Sequence, residues 1–374
     1  MRIGILTFHA AYNYGSMLQA FALQTVVQNL GHDVEIIDFR PYSQKLMYRT
    51  PFSILKPRPL LSDIKRILLS HGKEFRKFAA KRRFEEFAYS FLNLSKIHTN
   101  PASVKSVCTN YDVIILGSDQ IWNQSAMDHC DIYFGHGLST QKGLISYAAS
   151  MGPDPASLSP YINKVDFNIL AAISVREESA SKYLSRITTR DDIVVALDPT
   201  LLLKADQYHP LFNNKFPQLN KREEYIYYYT PGTHPDLLEI ARKIAKILNL
   251  PLKQDMGYFP ERANNMHYPL GPSEFLKEIA EAQWVIGTSF HLIVFAILLH
   301  KEFICINGDK DARMNDLLHK LELSDRIITE ESLSSNTLPL FNKINWDLID
   351  KQLKLLREKS IGFLTESLNK FDIH

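Results

Sequence analysis

A chain of 374 residues exceeds one ordinary domain, and its length suggests about two. Its 43 Lys and Arg nearly balance 41 Asp and Glu, so no overall field marks a nucleic-acid binder, while 45% apolar residues suffice for sizeable cores. Cys108, Cys130 and Cys305 show neither metal-site spacing nor even pairing, which argues against a disulfide framework and for a reducing compartment, the cytoplasm.

Met1 leads directly into an apolar strand without a basic, apolar and small-residue leader, and no run reaches about 18 uninterrupted apolar residues, so neither export nor membrane spanning is expected. A strand over 3–8, a helix over about 16–30, the turn Gly31-His32 and a strand over 34–39 make a βαβ unit. Residues 51–92 then break the alternation. They carry ten Lys or Arg against four Asp or Glu, a local charge of +6, interleaved with Leu60, Leu61, Ile64, Ile67, Leu68, Phe75, Phe78, Phe84, Phe87 and Phe91. The pattern predicts a helical insertion with a greasy and a cationic face, suited to anionic lipid or a diphosphate headgroup. The plainer alternative is a solvated helix pair whose aromatics pack on the domain.

Further strands are expected at 113–117, 144–149, 173–175 and 193–197, with helices at 160–171 and 177–185, which completes a parallel, doubly wound half. The polar, proline-bearing stretch 203–224 is the natural linker. A second half follows: a strand at 225–230, helices at 234–248 and 273–282, then a strand, a turn, an apolar helix and a strand between Trp284 and Ile306. The periodic run 346–368 predicts a long helix that crosses back to the first half. The expected fold class is therefore α/β, with two Rossmann-like domains facing a cleft in the manner of the GT-B fold. Residues 1–205 and the C-terminal helix 345–374 form the first domain, and 206–344 the second.

Open α/β sheets bind ligands beyond the carboxyl ends of their strands, so the loops there hold the candidates. Ser289 is a natural N-cap, and the helix opened by Phe290 and His291 aims N–H groups and a positive dipole end at an anion. An imidazole in that first turn is placed to act as a base, unless it only caps the helix or fills a core hydrogen bond. Asn13, Gly15 and Ser16 open the first helix, where backbone amides approach a phosphate or carboxylate. That loop lacks Gly-x-Gly-x-x-Gly and Gly-Lys-Ser/Thr, so neither dinucleotide nor P-loop binding is supported. Ser118, Asp119, Gln120 and Asn123 crowd a loop after an apolar strand, with an Asx-capped turn as the alternative. Arg176 stands at a strand end, where its guanidinium grips a carboxylate or phosphate or else pairs with Glu177 or Asp198.

Seven segments in order carry a resemblance over essentially the whole chain: Asn13-Tyr-Gly15 with Gln19 and Ala22-Leu-Gln24, Gly117-Ser-Asp-Gln-Ile-Trp-Asn123, Ser146-Tyr-Ala-Ala-Ser-Met-Gly152, Ile173-Ser-Val-Arg-Glu177, Asp198-Pro-Thr-Leu-Leu202, Gly271-Pro-Ser-Glu-Phe-Leu276 and Thr288-Ser-Phe-His291. On these residues the chain resembles the polysaccharide pyruvyl transferase family. Leu292, where many relatives have Gly, and Glu302-Phe303 in place of Pro-Phe are departures that leave the His intact. The resemblance implies transfer of pyruvate from phosphoenolpyruvate onto two hydroxyls of a sugar residue, forming a cyclic ketal and releasing phosphate, with phosphoenolpyruvate as donor substrate and no cofactor expected; for a metal, no tight His, Asp or Glu ligand cluster is visible in the sequence. It implies a glycan or a polyprenyl-diphosphate-linked oligosaccharide as acceptor, at the inner face of the membrane, which would give 51–92 a role in peripheral contact with anionic lipid; no nucleic acid is expected. His291 is the expected proton shuttle, with Asp119 second. The donor's anionic groups are expected to meet Arg176, the helix start at Ser289, Phe290 and His291, and Lys310 or Arg313, where relatives place a basic residue. A GT-B glycosyltransferase using a nucleotide sugar, an enolpyruvyl-type enzyme and a non-enzymatic sugar or lipid binder are the alternatives.

Overall fold

The computed structural model describes residues 1–49, 60–69, 73–126, 129–153, 162–212, 224–232, 234–255, 257, 270–329 and 341–372. They build two parallel sheets. The first contains β1 (Arg2–Leu6), β2 (Asp33–Ile36), β3 (Val113–Leu116), β4 (Gly143–Ala149), β5 (Leu170–Val175) and β6 (Val194–Val195), in the order β2-β1-β3-β4-β5-β6. The second contains β7 (Ile226–Tyr229), β8 (Leu252–Asp255), β9 (Trp284–Gly287), β10 (Glu302–Ile306) and β11 (Ile327–Ile328), in the order β11-β10-β9-β7-β8. Each sheet reverses its direction of growth once, between β1 and β3 and between β7 and β9, and such switch points open a crevice at the carboxyl ends.

The helices among the described residues are α1 (Tyr14–Asn29), α2 (Tyr42–Met47), α3 (Leu60–Leu69), α4 (Lys73–Phe91), α5 (Pro101–Cys108), α6 (Glu178–Ile187), α7 (Ala205–Phe212), α8 (Pro235–Leu248), α9 (Pro272–Glu281), α10 (Phe290–Leu298), α11 (Ala312–Lys320) and α12 (Trp346–Asn369). None is long and apolar enough to cross a membrane.

The period of two along a strand divides its side chains between layers. Val113 and Ile115 of β3 join the apolar core shared by both halves, and Ile114 and Leu116 join a second core on the far face of the first sheet. The shared core also takes Tyr227 and Tyr229 of β7 together with the buried faces of α1, α9 and α10, so the halves meet through continuous apolar packing. Every residue of α10 is buried, which explains its lack of a polar face. Helix α12 starts beside the second half, where Trp346 stacks on His300 at 4.9 Å, and crosses back to the first. There the Leu197 N–H donates to Ser360 Oγ at 3.0 Å and Arg357 Nε to the Leu201 carbonyl at 2.8 Å.

Several local expectations give way to tertiary demands. The helix expected at 160–171 is absent among the described residues: short 3-10 turns at Ile162–Lys164 and Phe167–Ile169 precede β5, and 154–161 lie outside the described residues. Leu170 and Ala172 are instead claimed by the ladder to β4, opposite Leu144 and Ile145. The proposed linker at 203–224 begins as α7 despite Pro210, because Tyr208, Leu211 and Phe212 bury one face and Tyr208 meets Phe295 of α10 edge-on at 5.0 Å. Residues 213–223 lie outside the described residues. Strands β8 and β11 and helices α2, α5 and α11 carry no strong periodic signal in the sequence, since each is short or polar. Within the insertion, 50–59 and 70–72 lie outside the described residues, and the aromatic stripe divides. Phe84 and Phe87 are fully buried, whereas Phe75 and Phe78 are 66% and 40% exposed.

Candidate active site

Loops from both switch points converge on one cleft of about 460 Å³, a volume that suits a small-molecule site. The first half lines it with Asn13, Ser16, Asp119, Gln120 and Asn123, and the second with Ser289, Phe290, His291 and Arg313. Met47 and Tyr48 add a wall that the sequence did not announce. Gly15, Ser118 and Arg176 are not part of the lining, though each touches a residue that is. Lys310 is exposed in the turn before α11 and does not line the cleft.

Two helix starts face this cleft. At α1, Asn13 Oδ1 accepts from the Gly15 N–H at 2.9 Å and the Ser16 N–H at 3.4 Å, so those amides serve the cap, contrary to the expectation that they meet a ligand anion. Ser16 Oγ instead donates to Asp119 Oδ2 at 2.6 Å. Asp119 also accepts on Oδ1 from the Gln120 N–H at 2.8 Å, and its φ of 69° turns the loop sharply after β3. At α10, Ser289 occupies the N-cap position with an extended backbone, but its side chain makes no capping bond. The first-turn amides of α10 are therefore not taken by a cap.

His291 bridges the halves. Its ring rests on Gly15, where a Cβ would stand 1.9 Å from Nδ1, so that close approach requires glycine. Its Nε2 lies 3.4 Å from Asp198 Oδ2, an ion-pair separation and not a closed hydrogen bond. Asp198 is fixed by the Thr200 N–H, which donates to Oδ1 at 2.9 Å, and by Arg176 Nη2, 2.9 Å from the same Oδ2. Burial works against its ionisation, but Arg176 and His291 hold it well below the usual carboxylate range.

Arg176 thus pairs with Asp198, not Glu177, and also donates to Ser118 Oγ at 2.7 Å. It lines a smaller cavity of about 110 Å³ together with Phe290 and Arg313, so it stands behind the main cleft. Phe290 receives two cations, with the Arg176 and Arg313 guanidinium carbons 5.3 and 5.6 Å from its ring centre. Arg313 is fixed bidentately by Asp311, with Nε to Oδ1 at 2.9 Å and Nη2 to Oδ2 at 2.6 Å, which sets the direction of its remaining donors. Glu177 is fully buried; its Oε1 accepts from the Met151 N–H at 2.7 Å, and burial pushes its carboxyl up to about 7.

Asp198 joins the candidate site through its contacts to His291 and Arg176, which no single loop of the sequence reveals. Its signal was the Asp-Pro-Thr turn after a strand, but only the folded chain brings it behind His291. Among the described residues no group of three or more His, Cys, Asp or Glu stands close enough to hold a metal ion.

Comparison with curated protein sequences finds no match. Similar solved structures include Anabaena HepE in complex with UDP and glucose, at 11% identity and TM-score 0.53 over 99% of this chain and all of that one. They also include Methanocaldococcus jannaschii UDP-GlcNAc 2-epimerase in complex with UDP-GlcNAc and UDP, at 13% identity and TM-score 0.47 over 96% of this chain and all of that one. A third is Escherichia coli heptosyltransferase WaaC with ADP, at 9% identity and TM-score 0.41 over 96% of this chain and 99% of that one. The likeness to HepE is one of fold, and with two parallel sheets across a cleft the architecture is GT-B. The family profile for polysaccharide pyruvyl transferase matches residues 13–310, from the α1 cap to the turn before α11. The chain belongs to the polysaccharide pyruvyl transferase family.

Proposed function

We propose that the protein moves pyruvate from phosphoenolpyruvate onto two hydroxyls of one sugar residue in a polysaccharide or its lipid-linked precursor, releasing phosphate. The observation that carries this reading is the convergence of His291, backed by Asp198, with Asp119 and Arg313 in one cleft between the halves. A first acceptor hydroxyl adds to C2 of the enol while the methylene carbon takes a proton and becomes methyl. The C2–O bond to phosphate then breaks, and the resulting oxocarbenium is closed by the second hydroxyl. Two C–O bonds form and one breaks; one hydroxyl proton ends on carbon and the other on phosphate. The donor carries its own activated bond, so this chemistry asks for no redox cofactor.

His291 is the proton shuttle in this proposal, with Asp198 Oδ2 3.4 Å from Nε2 as its ion-pair partner and Nδ1, over Gly15, as the nitrogen left for substrate. Asp119 is the second acid-base candidate. The uncapped start of α10 and the oriented donors of Arg313 suit the carboxylate and phosphate of the donor. The acceptor is a glycan, free or carried on a polyprenyl diphosphate, and a peripheral membrane contact through the basic insertion fits the carried form.

The test is phosphate release from phosphoenolpyruvate across acceptors containing galactose, glucose or N-acetylmannosamine, with wild type and His291→Ala side by side. Acceptor-dependent release lost in the variant is the expected result. A nucleotide sugar that raises Tm where phosphoenolpyruvate does not would replace this reading with a GT-B glycosyltransferase.

A further inference from the structure

We propose that the outward face of the α3–α4 hairpin is a docking surface for an anionic lipid bilayer. Its use in presenting a carried acceptor rests on the transferase reading above; the binding itself does not. On α3, Leu61, Ile64 and Leu68 are 79%, 40% and 75% exposed and fall on one helical face, with Leu69 at 63% beside them. Phe75 and Phe78 of α4, 66% and 40% exposed, extend the same kind of surface. Single exposed apolar residues are ordinary, but a cluster of this size marks an interaction site.

The charges decide which kind of partner fits. The acids of the hairpin are withdrawn: Asp63 and Glu74 are 2% and 6% exposed, Glu85 accepts from Arg40 at 2.9 Å, and Glu86 pairs with Arg82 at 2.6 Å. Lys65, Arg76 and Lys81 are left among the exposed leucines and phenylalanines, where long stems lie along apolar surface and keep their heads in water. An apolar face studded with cations fits the boundary between headgroups and acyl chains, and it repels a second copy of itself.

The inner face of α4 is fastened to the domain over its second half, which anchors the hairpin there. Ala80, Phe84, Phe87 and Ala88 are at most 1% exposed, and Arg83 Nη1 meets Glu274 of α9 at 2.7 Å. It also borders the cleft: Phe84 packs on Tyr12 at 5.5 Å, and Tyr12 on the cleft-lining Tyr48 at 4.4 Å. A bilayer on the outer face therefore lies beside the cleft wall, within reach of a glycan held on a lipid carrier.

The experiment is co-sedimentation of the full chain with vesicles of phosphatidylcholine alone or mixed with phosphatidylglycerol, at low and physiological salt, with hydrogen exchange followed over 61–78. Binding to the anionic vesicles, weakened by salt and accompanied by protection of 61–78, is the expected result. Lys65→Glu with Arg76→Glu should weaken partitioning by roughly tenfold or more, and Leu68→Ser with Phe75→Ser should abolish it. Both pairs should keep donor-induced thermal stabilisation and turnover of a soluble acceptor, so failure here is separable from failure of the transferase reading. The proposal is overturned by wild type that ignores anionic vesicles at low salt, or by binding without protection of 61–78. A dimer in light scattering that Leu68→Ser dissolves would show that a second copy covers the face instead.

Discussion

The two helix starts that face the cleft make opposite use of the same chemistry. α1 spends its first amides on Asn13 and turns Ser16 to Asp119, which stiffens the wall of the first half. α10 carries Ser289 at the same position without a capping bond and offers its amides to the cleft, with His291 in that first turn. A helix N-terminus thus attracts an anion only where no side chain has already answered it. Glycine adds the second half of the contrast: Gly15 leaves room for the His291 ring at the start of α1.

The largest effect should come from His291→Ala, where loss of the ring should lower acceptor-dependent phosphate release by roughly 10²- to 10⁴-fold, while phosphoenolpyruvate still raises Tm. Gly15→Ala comes next. A Cβ 1.9 Å from Nδ1 must displace the imidazole, and misplacement of that order should lower kcat by about 10²-fold in steady-state assays with the fold intact by circular dichroism. Unchanged kcat would break the link between the two helix starts. Arg313→Lys keeps charge but loses the fork on Asp311, so KM for the donor should rise roughly ten- to a hundredfold with a smaller change in kcat.

Asn13→Ala should cost about 1 kcal/mol of stability in denaturant titration by removing the α1 cap, with donor affinity little changed. If donor affinity collapsed instead, α1 rather than α10 would hold the anion. The smallest effect is on pH dependence. Burial pushes the Glu177 carboxyl up to about 7 from the ordinary 4.5 of a glutamate, so the folded state holds its proton more tightly than the unfolded chain. Its contribution is fully present below about pH 4.5 and is lost as pH rises through about 7. Glu177→Gln should flatten the decline of Tm across that window.

Much of the fold was legible because its signals are local. The runs Ile3-Gly-Ile-Leu6, Val113-Ile-Ile-Leu116 and Trp284-Val-Ile-Gly287 are buried strands as their composition says, and the amphipathic period between them marks helices. The failures have a common cause. Residues 162–171 and 203–212 carry ambiguous local preferences, and the β4 ladder and the Phe295 surface decided between them. In the site, Asp119 and His291 were singled out because polar residues after apolar strands stand out. Asp198 and Asp311 did not, since their roles lie in contacts made from a distance.

By itself the sequence determined the alternation of strand and helix, the family to which the chain belongs, and the candidate loops at the strand ends, because period, turn residues and motif order are properties of neighbours along the chain. Only the tertiary structure decided that Asn13 consumes the α1 amides, that Arg176 stands behind Phe290, that Lys310 is outside the cleft, and that Phe75 faces out while Phe84 faces in. Those outcomes depend on which surfaces compete for each side chain, and that competition exists only once the two sheets have met.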